Sequence, residues 1–256
     1  MGLLALTSLH TAAKSLSRNC ETMAPAKHIG IVGVSAEGAA LCYRTICVEG
    51  AVLLGAHNHP EIIMHTYPLS EYMRAIEVNQ WRDVGRLLLK SAKIVVDAGA
   101  EILICPDNTV HQALDLVYEQ LPARWLHIAD EVSAVAAKRR FNRLGILGTR
   151  YLMEGPVYPA KLAARNIGYE IPGSEDRERI NAIIFDELTY GRFEESSKQY
   201  FIRVIEVLRE RGCNAVVLGC TEIPLLISEN ESPLPAIDST RTLARAALAA
   251  ATQHSK

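Results

Sequence analysis

The chain reads as the same half written twice, and that duplication limits its fold more than any other feature. Gly99–Thr109 runs GAEILICPDNT and Gly212–Glu222 runs GCNAVVLGCTE. Each is a glycine followed by an apolar strand-like run. Aligned on those glycines, Asp107 and Cys220 occupy the same position. A second pair, IGIVG at Ile29–Gly33 and LGILG at Leu144–Gly148, repeats at nearly the same offset. Two related halves facing each other would bring one proton-transfer group to each side of a shared cleft. That arrangement suits chemistry on both faces of one carbon.

A chain of 256 residues accommodates one large domain or two of about 110 residues. Hydrophobic residues at 49% and charged residues at 22% describe an ordinary globular protein. The formal charge of −2 comes without a long run of one sign, so no nucleic-acid partner is expected. No apolar run reaches the ~18 residues of a membrane span. The six cysteines (Cys20, Cys42, Cys47, Cys105, Cys213 and Cys220) form no CxxC pair, which suits a reducing compartment and a cytoplasmic location. His57 and His59 flank Asn58 beside Pro60 without a third ligand at a recognisable spacing, so no metal is expected.

The first 22 residues hold Lys14, Arg18 and several Ser and Thr, with no acid before Glu21. A transit peptide to an organelle has that composition. An unstructured extension over residues 1–26, with Met23 as a true start, is the favoured reading.

From Lys27 onward, short apolar runs alternate with helical stretches. Strands are expected at Ile29–Val34, Glu61–His65, Glu101–Cys105 and Arg124–Ile128. Helices are expected at Glu37–Ala51, Val78–Ala98, Asn108–Leu121 and Glu131–Arg139. In the second copy, Leu144–Gly148, Tyr169–Ile171 and Ala215–Leu218 read as strands. Gly155–Asn166, Ser174–Leu188, Glu195–Arg211 and Glu222–Ser228 read as helical. Pro233-Leu234-Pro235 leads into Ala236–Asp238, and Arg241–Gln253 is an Ala-rich helix. Strands separated by such helices imply βαβ units and mostly parallel sheets.

The expected architecture is α/β, with two pseudo-symmetric three-layer αβα domains and an active site in the cleft between them. The first domain takes residues 27–130 plus 236–256, and the second takes 131–235. Ligands of such sheets bind beyond the carboxyl ends of strands, where Asp107 and Cys220 fall.

ILICPDNTVH and VVLGCTEIPLL resemble the two signature segments of the aspartate/glutamate racemase superfamily. IGIVGVSAEGAALCY is similar to its Gly-rich opening, with Ala36 in place of a proline and one residue fewer. The similarity runs over most of Lys27–Thr252. Members work without pyridoxal phosphate or metal, so the resemblance implies no cofactor. It also implies a homodimer and the racemisation of aspartate or glutamate by two opposed acid/base groups. In the second motif that group is Cys220.

The first motif departs from the family, because Asp107 stands where a cysteine is usual. Cys105 lies two residues earlier, ~6–7 Å down an extended strand. The internal repeat favours Asp107 as the first acid/base group, with Cys105 as the alternative. Asp107 could also cap the helix that follows it. Backbone N–H groups of the helices beginning after each reactive residue would receive a substrate carboxylate.

By resemblance, Asn108, Thr109 and Thr221 bind substrate, and His111 and Glu222 orient or tune their neighbours. Thr149, in the repeat position of Val34, is expected to line the cleft, and Glu37 is a further inward-pointing candidate. Arg44, Arg150 and Lys161 are unranked candidates for holding a side-chain carboxylate. Alternative readings are a lyase, decarboxylase or isomerase relying mainly on Cys220, and a non-catalytic sensor of a small ligand.

Overall fold

A computed structural model describes residues 26–253. The expected N-terminal extension lies almost wholly outside the described residues. Strands β1 (Ile29–Gly33), β2 (Ile62–Thr66), β3 (Ile102–Ile104) and β4 (Arg124–Leu126) form a parallel sheet in the order β2-β1-β3-β4. Strands β5 (Arg143–Leu147), β6 (Gly168–Glu170), β7 (Ala215–Leu218) and β8 (Ala236–Asp238) form another in the order β6-β5-β7-β8. The second half therefore repeats the topology of the first.

Each sheet is covered on both faces, so its central strands are apolar at nearly every position. Strand periodicity divides their side chains between two layers. Ile29, Ile31, Ile102 and Ile104 pack towards α1 (Ala36–Leu54). Val32, Leu103 and Cys105 face the opposite layer, containing α2 (Leu69–Ile76) and α3 (Trp81–Asp97). In the second half, Val216 and Leu218 pack against α7 (Ser174–Asp186) and α8 (Glu195–Glu210). The glycines that align the repeat share one task. Gly99 after α3 has φ 110° and Gly212 after α8 has φ 86°, left-handed turns that favour glycine and stop each helix before the buried strand.

The helix after each sheet's last strand crosses to the other half. α4 (Ile128–Lys138) follows β4, yet Ala129, Val132 and Ala136 sit in the core with Leu144, Ile146 and Val217 of the second sheet. α10 (Ser239–Thr252) follows β8, yet Leu243, Ala244, Ala247 and Leu248 pack with Ile29, Ile31 and Ile104. Ala236–Asp238 belongs to the second sheet, so the return to the first half starts at Ser239 and not at residue 236.

Other boundaries also differ from the sequence pattern. The helix expected from Val78 starts only at Trp81, because Asn79 adopts φ 56° and breaks the run that would join α2 to α3. The helix expected over 155–166 shortens to α6 (Pro159–Ala163), with proline in its first turn, and a separate helix α5 (Arg150–Met153) lies upstream of that stretch. Asn108–Leu121 is not an α-helix. It forms 3₁₀ turns at Thr109–Leu116 and Tyr118–Gln120. A four-residue helix, α9 (Ile223–Leu226), follows Cys220. Among the described residues, no helix is long and apolar enough to cross a membrane.

Leu243 is fully buried in the first half's core. Leu243→Ala is expected to lower unfolding stability by about 3 kcal/mol, the usual cost of such a cavity, measured by urea denaturation.

Candidate active site

The four strand ends nearest the middle of the sheets meet at one cavity. It is lined by Ser35 after β1, Asp107 after β3, Thr149 after β5, and Cys220 after β7. In both sheets this is the point where strand order reverses, the usual ligand position in parallel sheets. The volume is about 50 Å³, room for a few waters. Asn108, Thr109, Thr221 and Glu222 also line it, so most of the candidates from both motifs share one space.

Backbone crowding shapes the loops. A Cβ on Gly219 would come within 2.8 Å of the Leu147 carbonyl oxygen, and one on Gly38 within 2.7 Å of that of Pro106. Only glycine lets these segments approach closely enough to close the cavity.

Asp107 caps the turn that follows it and also faces the cavity. Its Oδ1 accepts from the Val110 N–H at 3.1 Å. Burial raises its carboxyl from 3.8 to about 6. The Val110 N–H opposes that rise, and the nearby Glu222 carboxylate adds to it. Cys105 is fully buried in the core of the first half and does not line the cavity.

Cys220 donates its thiol hydrogen to Glu222 Oε2 at 2.9 Å, and Thr221 donates its hydroxyl to the same oxygen at 2.7 Å. Burial, then the Glu222 charge, pushes the Cys220 thiol well above its ordinary range. Ser35 extends this chain, with its Oγ 3.3 Å from Thr221 Oγ1 and accepting from the Gly38 N–H. The other half shows a related pair, Thr149 Oγ1 at 3.1 Å from Thr109 Oγ1. Ser35 and Thr149 each cap the helix that follows. Thr149 thus has Ser35 as its structural counterpart, and Ser35 was missed because the repeat alignment paired Thr149 with Val34.

Asn108 is committed mainly to structure. Its Oδ1 accepts from Tyr158 Oη at 2.7 Å, and its Nδ2 donates to Ser239 Oγ at 2.9 Å, leaving one amide hydrogen. His111 lies behind the wall. Its Nδ1 donates to the Asp107 carbonyl at 2.7 Å, while Nε2 faces the Trp125 and Ile128 N–H donors at 3.4 Å. Burial, reinforced by His127, holds His111 neutral. It orients the Asp107 backbone and does not touch the cavity.

Glu37 is exposed and lines an adjoining outer groove, which Glu222 also borders. The anion site expected at helix N-termini loses most of its basis, because the segments following Asp107 and Cys220 are 3₁₀ turns and a single helical turn, and the axial dipole needs a longer run.

The apolar wall comes from Leu69, Met73 and Ile76 of α2 and from Ile184 and Phe185 of α7. Tyr151 and Thr189 complete the lining. None of these was singled out from sequence, although Leu69, Tyr72, Met73 and Ile76 follow helical spacing. The three basic candidates are elsewhere: Lys161 pairs with Asp130 at 2.9 Å, Arg150 covers the Tyr151 ring, and Arg44 is exposed. Among the described residues, no group of three His, Cys, Asp or Glu is placed to hold a metal.

The weakened acidity of Asp107 has a stability consequence. Between pH 3.8 and about 6 the folded state retains a proton that the unfolded state has lost, so stability falls as pH rises through that window. Above it the folded chain carries a cost of up to about 3 kcal/mol. Asp107→Asn, which keeps the oxygen facing Val110, is expected to raise the unfolding temperature at pH 8 and to have little effect at pH 3.5. Thermal unfolding at both pH values checks this.

The description Asp/Glu/Hydantoin racemase matches residues 22–247. A Yersinia pestis protein assigned as an Asp/Glu racemase is 32% identical, with a TM-score of 0.81 over 89% of this chain and 100% of that one. An aspartate racemase homologue from Pyrococcus horikoshii is 27% identical, with a TM-score of 0.77 over the same shares. The glutamate racemase of Limosilactobacillus reuteri is 22% identical over 59% of this chain. The match spans only 55% of that relative, about half its length. With the doubled topology and both motifs at one cavity, the match over most of the sequence places this chain in the Asp/Glu/Hydantoin racemase family.

Proposed function

We propose that the protein racemises a small α-amino acid by passing the Cα proton between Asp107 and Cys220, with no cofactor. The observation that carries this reading is that both side chains line one small cavity, each at the end of the equivalent strand of its half.

In the resting state near neutral pH, Asp107 is a carboxylate and Cys220 a thiol. Asp107 takes the Cα proton, and the C–H electron pair remains on carbon as a carbanion delocalised into the α-carboxylate. Cys220 then delivers its proton to the opposite face and becomes a thiolate. The other enantiomer reacts from the complementary state, with Asp107 protonated and Cys220 ionised. The two acidities belong to a coupled pair. Because enantiomers have equal energy in water, the mismatch leaves kcat/KM equal in the two directions and separates only kcat and KM.

The remaining groups support this step. Glu222 fixes the thiol hydrogen, and His111 fixes the Asp107 backbone. Thr221 gives its hydroxyl hydrogen to Glu222 and Ser35 points its own at Thr221, which leaves one hydroxyl of the Thr109–Thr149 pair and the second amide hydrogen of Asn108 as donors for an α-carboxylate. The names of the relatives favour aspartate or glutamate as substrate, whereas the cavity lining bears on the side chain differently, as argued below.

Incubation in D₂O tests the reading. The wild type is expected to introduce deuterium at Cα and form the opposite enantiomer. Cys220→Ser and Asp107→Asn should each lose at least about a hundredfold in rate, the scale of a general acid or base, while Cys105→Ser keeps most of it. Release of carbon dioxide or another fragment would indicate a decarboxylase or lyase instead.

The pH profile provides a second check. The base must be ionised, so kcat/KM should rise with pH through about 6, the Asp107 value. In Asp107→Cys, that limb should move to higher pH.

A further inference from the structure

We infer that the substrate is an amino acid with a short, uncharged aliphatic side chain, an inference that rests on the racemase reading above. The only charged side chains lining the cavity are Asp107 and Glu222, both acidic, and among the described residues no Lys, Arg or His lines it. A second substrate carboxylate would enter beside two carboxylates, lose its water, and meet no cation. Burial of an unpaired charge is strongly unfavourable.

A zwitterion with a neutral side chain meets no such penalty. Its ammonium faces Glu222, and its carboxylate faces the Thr109–Thr149 pair and Asn108. Its side chain lies on Leu69, Met73 and Ile76 from one half and Ile184 and Phe185 from the other. Ile76 and Ile184 are almost fully buried, so this wall is continuous with the cores of both halves. A cationic side chain fares no better, because of the two acids one faces the ammonium and the other the Cα proton. The cavity is small, with room for a few waters, which suits alanine or valine more than an aromatic amino acid.

The test compares kcat/KM for L-alanine, L-valine, L-aspartate and L-glutamate, reading deuterium incorporation at Cα and formation of the D-enantiomer. Alanine or valine should exceed both acidic amino acids by at least about tenfold, the discrimination that a single pocket contact supplies. If aspartate or glutamate is processed as well or better, the side-chain inference is wrong and the racemase reading stands. If no amino acid exchanges its Cα proton, both are wrong.

Thr189 lines the cavity and is half-exposed, so a longer side chain is accommodated there. Thr189→Lys should raise the aspartate-to-alanine ratio of kcat/KM by about tenfold. An unchanged ratio in a folded variant would count against the inference.

Discussion

The buried side-chain amide of Asn108 ties the two halves together at the floor of the cavity. It receives the Tyr158 hydroxyl from the second half and donates to Ser239, which in turn donates to the carbonyl of Leu218 at the end of β7. One connected set of hydrogen bonds therefore joins the ends of β3 and β7, the strands that carry Asp107 and Cys220. Buried amides and hydroxyls are costly without partners, so these bonds favour the arrangement of the halves in which the groups are paired. Small sideways displacements would break several bonds together. The relative position of Asp107 and Cys220 thus follows from polar satisfaction as much as from the apolar cores.

The same seam acts on the resting forms of two groups in opposite senses, disfavouring the carboxylate at Asp107 and favouring the thiol at Cys220. A carboxylate at Asp107 is desolvated, and a thiol at Cys220 is held against a neighbouring carboxylate. Both conditions arise from closing the site against water, and both suit the proposed proton transfer. Function and stability conflict here, as they commonly do at active sites. The surrounding scaffold offsets that local cost through two fully covered sheets.

Much of this was legible in the sequence because the repeat and the strand periodicity are short-range patterns. Ile29, Ile31, Ile102 and Ile104 alternate as a strand must, and the Gly99 and Gly212 turns mark where each central strand begins. Asp107 and Cys220 followed from counting forward from those turns. The apolar wall did not, because Leu69 and Ile184 are far apart in the chain and each looks like ordinary core. What makes them part of the site is the angle at which the halves meet, which no local pattern encodes. The 3₁₀ conformation after Asp107 was equally hidden. Its residues have adequate helical propensity, and only the side-chain cap on Val110 and the packing of Val110, Ala113 and Leu114 reveal the tighter winding.

The exchanged helices bear on how the molecule reaches this state. The apolar layer over Ile29 and Ile31 is completed by Leu243 and Leu248, roughly two hundred residues downstream, and contacts of such long range slow folding. During synthesis the earlier sheet must wait, with one side uncovered, until the later one has emerged and its last helix can dock. Over that interval the nascent chain presents an aggregation-prone surface, the kind of vulnerability that chaperones shield. Maturation is then a single late event in which both halves become complete together.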